Sequence, residues 1–215
     1  MDFQGAIFDL DGTLLESMGK WESVSEDYLR SKGAKPAADL RQTVLPLTLP
    51  QAAEHMIKAY QLADTSIADV VAAINNLLKE FYRLEAPLKA NAREFLQHLK
   101  ARGVKMCVAT ATDRELVELA LDRLQISNLF DFIITVREAG AGKHQPDIYL
   151  QAAERLGIAQ EQIVVFEDAL HAIRTAKDAG FRVVGLADAS SNHQQAEIEP
   201  LCERYLTNFN EWGGS

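Results

Sequence analysis

Cysteine is almost missing from this sequence: among 215 residues only Cys107 and Cys202 carry thiols. Two thiols cannot build the disulfide framework on which small secreted folds depend, and a chain of this length buries a sufficient core without one. The expectation is a reducing cytoplasm, with Cys107 a small buried hydrophobe inside the apolar run Val104–Ala109. Basic residues are also in deficit, 22 Lys and Arg against 31 Asp and Glu, for a net charge of −9. Nucleic acids and anionic membranes select basic faces, so neither is expected as the main partner. No apolar run approaches the length that spans a bilayer, and Asp2 and Gln4 ahead of a strand-length run do not make a signal peptide. Internal repeats and low-complexity tracts are absent too. What remains, 47% hydrophobic and 25% charged residues, suits a globular chain with one large domain, or a core and a smaller module.

Short apolar runs alternate with segments of helical period. The expected strands are Gly5–Phe8, Val104–Ala109, Phe132–Val136, Ile163–Phe166 and Arg182–Leu186, with a last one at Tyr205-Leu206. Asn91 to Glu94 and Thr112 to Glu115 read as capping boxes ahead of helices, and Pro146 opens a helix that Gly157 closes. Ala169–Ala179, stopped by Gly180, is another. Such alternation predicts an α/β fold: a Rossmann-like parallel sheet with helices on both faces. From about Glu16 to Glu85 no strand is expected. There Trp21, Val24 and Tyr28 form one helical stripe, Thr48 with Pro50 starts a second helix, and Ile67–Tyr82 forms a third. The division expected is a core of residues 1–15 and 87–215 with an all-helical insert at 16–86, the tail from Trp212 being loose.

The chemistry gathers at strand ends. Asp9-Leu10-Asp11-Gly12-Thr13 follows the first apolar run, so two carboxylates stand where open α/β sheets place their ligands. An aspartate there can act as a nucleophile while its neighbour moves a proton and a metal offsets the charge. Thr110 ends the next strand, where a hydroxyl can meet a phosphoryl oxygen or simply serve the turn; spacing does not choose. Thr112 fits the capping role better. Lys143, in a loop with Gly140 and Gly142, is placed to meet a phosphate or a carboxylate pair, although most lysines are solvated. His144 beside it reads as an exposed loop residue, and His171 as one on a helix face. Glu167-Asp168 ends another strand, and the two acids repel unless a cation or lysine stands between them. Helix-terminal acids would account for that pair alone. Four such strand ends at one sheet edge call for a shared site.

Taken together, these motifs resemble the haloacid dehalogenase-like hydrolase superfamily, close to its phosphatase and phosphomutase branch with a helical cap. Phe8 to Leu14 matches the first motif, Thr110 the second, Lys143 with Pro146 to Tyr149 the third, and Phe166-Glu167-Asp168 the fourth. The resemblance implies Mg2+-dependent hydrolysis of a small phosphorylated metabolite by a monomer, with residues 16–86 as the cap. It makes Asp9 the nucleophile that forms an aspartyl-phosphate and Asp11 the acid and base. It assigns the ion to the Asp9 and Asp168 carboxylates and the Asp11 carbonyl, with Glu167 ligating directly or through water. Thr110, Ala111, Lys143 and the amides of Gly12 and Thr13 would bind the phosphoryl oxygens. The family's fourth motif often continues with serine and glycine where this chain has Ala169 and Ala172. Asp11 argues against a dehalogenase, which needs no leaving-group acid. The first cap helix, Met18 to Lys32, lacks the histidine that related phosphoglucomutases carry, which favours hydrolysis over phosphate transfer.

Overall fold

The computed structural model describes residues 2–44, 47 and 49–213. In chain order the elements are β1 (Gly5–Phe8), α1 (Met18–Ser31), α2 (Leu40–Val44), α3 (Leu49–Tyr60), α4 (Ile67–Leu84), α5 (Ala92–Ala101), β2 (Lys105–Thr110) and α6 (Arg114–Arg123). They continue with β3 (Phe132–Thr135), α7 (Val136–Ala139), α8 (Asp147–Leu156), β4 (Ile163–Glu167), α9 (Leu170–Asp178), β5 (Arg182–Leu186), α10 (Gln195–Ile198) and β6 (Arg204–Leu206). The strands form one sheet in the order β3-β2-β1-β4-β5-β6, and every adjacent pair is parallel. This is the Rossmann-like α/β architecture that the alternating pattern predicts.

Parallel strands joined through helices are covered on both faces, and β1 and β4 are buried at every residue. Ile7, Cys107 and Val165 share one face with Tyr149 and Leu156 of α8 and Ile173 of α9. Phe8 and Phe166 point the other way, their rings stacked with centroids 4.5 Å apart, against Phe95 of α5 at 6.2 and 5.4 Å. Strand order reverses direction between β1 and β4. The carboxyl ends of those two central strands therefore bound the crevice at the switch point, the place where such sheets bind ligands.

Several local expectations needed correction. Asn91 does not cap α5 with its side chain; it adopts a left-handed conformation, φ 61°, which Asn tolerates better than most residues. The Thr112 box fails as well, because Asp113 is the N-cap of α6 and donates or accepts no capping bond. Val136 starts a helix instead of prolonging β3, since Thr135 and Glu138 form a reciprocal capping box. Trp212 is not loose: its ring meets Phe3, Phe95 and Phe166 at centroid distances of 5.7, 5.2 and 5.7 Å. Thr48, expected to open a helix, lies outside the described residues, as do Gly214 and Ser215.

The chain divides into a larger unit of Met1–Met18 and Ala86–Ser215, which contains the sheet, and a smaller one of Gly19–Glu85. Within the smaller unit Tyr28, Met56, Ile74 and Tyr82 are buried. Trp21 Nε1 donates to the Tyr82 hydroxyl at 2.8 Å, and Ser66 with Asp69 caps α4 reciprocally. No helix among the described residues is long and apolar enough to cross a membrane.

Candidate active site

The first strand delivers Asp9 to the crevice, where its amide donates to the Phe166 carbonyl of β4 at 3.0 Å. The chain then turns sharply. Leu14 and Leu15 amides both donate to the Leu10 carbonyl, and Gly12 has φ +86°. A Cβ built on Gly12 would lie 2.4 Å from Asp168 Oδ2, so both the backbone conformation and the space require glycine. Thr13 Oγ1 donates to Asp168 Oδ1 at 2.9 Å and fixes the fourth-strand acid against the first turn. One expected role is displaced here: the Gly12 amide donates to the Leu15 carbonyl at 2.9 Å, so it closes the turn instead of facing a phosphoryl oxygen. Glycine's contribution is the room it leaves for Asp168.

Lys143 lies beyond α7 and Gly140, whose φ of 82° ends that helix. Its side chain runs inward, 7% exposed, and Nζ donates to Asp9 Oδ1 and, at 2.8 Å, to Glu167 Oε2. Glu167 also accepts a bond from the Ala169 amide at 3.3 Å, so protein donors reach both of its carboxylate oxygens. Asp9, Glu167 and Asp168 each offer a carboxylate oxygen, all within 4.8 Å of one another and all buried.

Three buried carboxylates thus gather around one buried ammonium, which bonds two of them. Burial, then the neighbouring Glu167, raises the Asp9 pKa to about 8. Burial, then Glu167 and Asp9, pushes Asp168 upward as well. Lys143 moves upward too: burial opposes its charge, but the Asp9 and Glu167 carboxylates outweigh that effect. The group is short of positive charge, so each of the two aspartates favours its neutral form more than a solvated carboxylate does. Asp9, Glu167 and Asp168 are a group of oxygen donors that could hold a metal ion.

The second acid sits apart. Asp11 is partly exposed, and its carboxylate accepts from Ser17 Oγ at 2.6 Å and Thr112 Oγ1 at 2.5 Å. Neither hydroxyl was expected in the site. For Thr112 the signal was available: two residues beyond Thr110 at a strand end, it can share that residue's face. Ser17 is marked only by its distance from Asp11 along the turn. Thr110 is buried, and its hydroxyl oxygen accepts from the Thr112 amide at 3.0 Å, which leaves its hydrogen available to another acceptor. Ala111, next in the chain, is exposed. At the same sheet edge, beyond β5, Asp188 pairs with Lys89 at 3.0 Å, both buried. Lys89 also meets Glu16 at 3.2 Å and the Ala187 carbonyl at 3.0 Å, which ties the turn after β1 to the end of β5.

Comparison with known proteins agrees with this geometry. The haloacid dehalogenase-like hydrolase family model matches residues 3–180. The phosphorylated carbohydrates phosphatase of Thermotoga maritima is 28% identical over 198 residues, covering 91% of this chain and 90% of that protein. Hexitol phosphatase A of Escherichia coli is 28% identical over 211 residues, covering 93% and 90%. Among solved structures, a presumed β-phosphoglucomutase from Thermotoga maritima superposes with a TM-score of 0.84 at 25% identity, covering 96% of this chain and 94% of that one. The chain belongs to the haloacid dehalogenase-like hydrolases, as a hydrolase of the phosphatase type.

Proposed function

We propose that the protein hydrolyses a small phosphate monoester through an aspartyl-phosphate on Asp9, with Mg2+ as its cofactor. The observation that carries this reading is the buried set of Asp9, Glu167 and Asp168 around Lys143, with Asp11 held separately by two hydroxyls. Asp9 attacks phosphorus as the bond to the ester oxygen breaks, and Asp11 gives its proton to the departing alkoxide. Asp11 then takes a proton from water as that water attacks phosphorus, which frees inorganic phosphate and restores the Asp9 carboxylate.

Thr110, the Ala111 amide, the Thr13 amide and Lys143 are the donors we assign to the phosphoryl oxygens, where charge spreads in the transition state. Asp9, Asp168 and the Asp11 carbonyl would hold the ion. Bound there, it supplies the positive charge that lets an anionic nucleophile approach an anionic ester. Glu167, engaged by Lys143 and the Ala169 amide, serves better as the anchor of that lysine than as a ligand. We assign substrate selection to the helical insert expected at residues 16–86.

Hydrolysis is favoured over intramolecular phosphate transfer because α1 carries no histidine and Trp21 is committed to Tyr82. Phosphate release from a panel of sugar phosphates, polyol phosphates and nucleotides, with Mg2+ and with excess chelator, tests the reading. Release from at least one ester that stops with chelator and returns with Mg2+ is expected. Full activity in excess chelator would contradict it, and conversion of β-glucose 1-phosphate to the 6-phosphate without free phosphate would select the mutase.

A further inference from the structure

One buried ion pair remains outside this chemistry. Lys89 and Asp188 are only 4% and 5% exposed. Apolar side chains of similar volume often replace such a pair without loss of stability, so stability alone does not call for a lysine here. Its surroundings do. The Lys89 amide donates to the Leu14 carbonyl at 2.8 Å, the Glu16 amide donates to the Pro87 carbonyl at 3.0 Å, and Leu15 bridges Leu88. Residues 14–16 and 87–89 thus form a short two-stranded patch, and the turn that carries Asp11 is tied to it. The Gly12 amide donates to the Leu15 carbonyl at 2.9 Å, and Ser17, next beyond the patch, donates to Asp11 at 2.6 Å.

We propose that Lys89 is a positioning residue for the reaction: it braces the Asp11 turn against the end of β5 and neutralises Asp188 near the acids assigned to Mg2+. The assignment rests on the phosphatase reading above. The far end of the brace is fixed. Lys89 Nζ meets Asp188 Oδ2 and donates to the Ala187 carbonyl, each at 3.0 Å. Asp188 Oδ1 in turn accepts from the Ser190 amide at 3.0 Å and the Ser190 hydroxyl at 2.6 Å, so both oxygens of the acid are engaged. The Ala187 amide donates to the Leu206 carbonyl at 2.8 Å, which fastens this segment to β6. The near end is the patch, to which the lysine's own backbone belongs. Glu16, the third partner at 3.2 Å, has a side chain 54% exposed and adds little.

The second role is electrostatic. Burial opposes the charge of Asp188, but its bonds from Ser190 and Lys89 outweigh burial and hold its pKa below the ordinary value, so the acid stays ionised. Asp168 and Asp188 follow the carboxyl ends of adjacent parallel strands, and the Asp188 charge is among those that push Asp168 upward. Without Lys89, an uncompensated negative charge would act on the acids assigned to Mg2+ and tighten the ion. Without Asp188, an uncompensated ammonium would weaken it. Loss of both keeps the charge balance but removes the brace, which separates the two roles.

Wild type, Lys89→Met, Asp188→Asn and the double variant test the assignment. The double variant leaves no buried charge unpaired, so it and Asp188→Asn decide the matter if Lys89→Met does not fold. Calorimetric titration with Mg2+ alone should show severalfold tighter binding in Lys89→Met, severalfold weaker binding in Asp188→Asn and wild-type affinity in the double variant. A lysine that served only the fold would change thermal stability and leave those affinities equal. At saturating Mg2+, kcat/KM for an alkyl phosphate that the wild type accepts should fall about 10- to 100-fold in Lys89→Met and in the double variant, as for a reacting group displaced by about 1 Å. p-Nitrophenyl phosphate, whose leaving group needs no proton, should lose far less. Equal Mg2+ affinity in all four proteins, or an equal loss for the two esters, would overturn the role of Lys89. A wild type that binds Mg2+ but hydrolyses neither ester would overturn the phosphatase reading itself, and this assignment with it.

Discussion

Replacing Thr112 with valine removes one hydroxyl and preserves the side-chain shape, so it isolates the bond to Asp11. That bond is short, 2.5 Å from Thr112 Oγ1 to Asp11 Oδ2, and its acceptor is a carboxylate. Hydrogen bonds to charged groups contribute about 1.5–3 kcal/mol. Ser17, at 2.6 Å on the other oxygen, keeps Asp11 in place only partly. If Asp11 must be aimed in the transition state and not for binding, the whole amount appears in the barrier. It then lowers kcat by about 10- to 150-fold. KM should change little, because Thr112 is assigned no contact with the ester. The assay is steady-state phosphate release at saturating Mg2+, compared for Thr112→Val, Thr112→Ser and wild type. Thr112→Ser retains the donor and should stay within a few-fold of wild type. Unchanged kcat in Thr112→Val, or an effect confined to KM, would refute the positioning of Asp11 by this hydroxyl.

Other consequences follow from the same structure. Gly12→Ala combines a left-handed backbone with a Cβ 2.4 Å from Asp168 Oδ2, and should lower stability by about 2–5 kcal/mol and abolish activity; chemical denaturation and phosphate release check both. The Tyr149 hydroxyl is buried without a partner among the described residues, so Tyr149→Phe should leave stability unchanged or raise it by about 1 kcal/mol in the same denaturation assay. Asp9 is held above its unfolded value of 3.8, near 8, so its contribution to stability is complete below about pH 4 and is lost as pH rises through about 8. In chelator the contribution of Asp9 to stability should therefore decline over that window, and Asp9→Asn, which cannot titrate, should flatten the decline in thermal melts. Mg2+ should stabilise the wild type more at pH 8 than at pH 6, because it displaces the retained proton.

The parallel sheet was legible because buried strands read as short apolar runs, and β1 and β5 agree with their expected limits at Gly5–Phe8 and Arg182–Leu186. Strand ends were legible for the same reason, and with them the positions of Asp9, Thr110, Glu167 and Asp168. Capping was less so. Asn91 and Thr112 satisfy the same local pattern as Thr135 and Ser66, yet only the latter two cap their helices. A short polar side chain bonds whichever group tertiary packing brings near, and for Thr112 that is Asp11, 101 residues away in sequence. The Lys89–Asp188 pair was hidden similarly, since 99 residues separate two charges that each look solvated when read alone. Ring contacts such as that of Trp212 with Phe3 are equally non-local.

The most direct test of the central claim is acid-quenched mass analysis of the enzyme during turnover of any phosphate ester it accepts. The account predicts one phosphoryl group per chain, on the peptide that contains Asp9, absent in Asp9→Asn and absent when Mg2+ is chelated. Phosphate released at the wild-type rate by Asp9→Asn, or a phosphoryl group trapped on any residue other than Asp9, would contradict it.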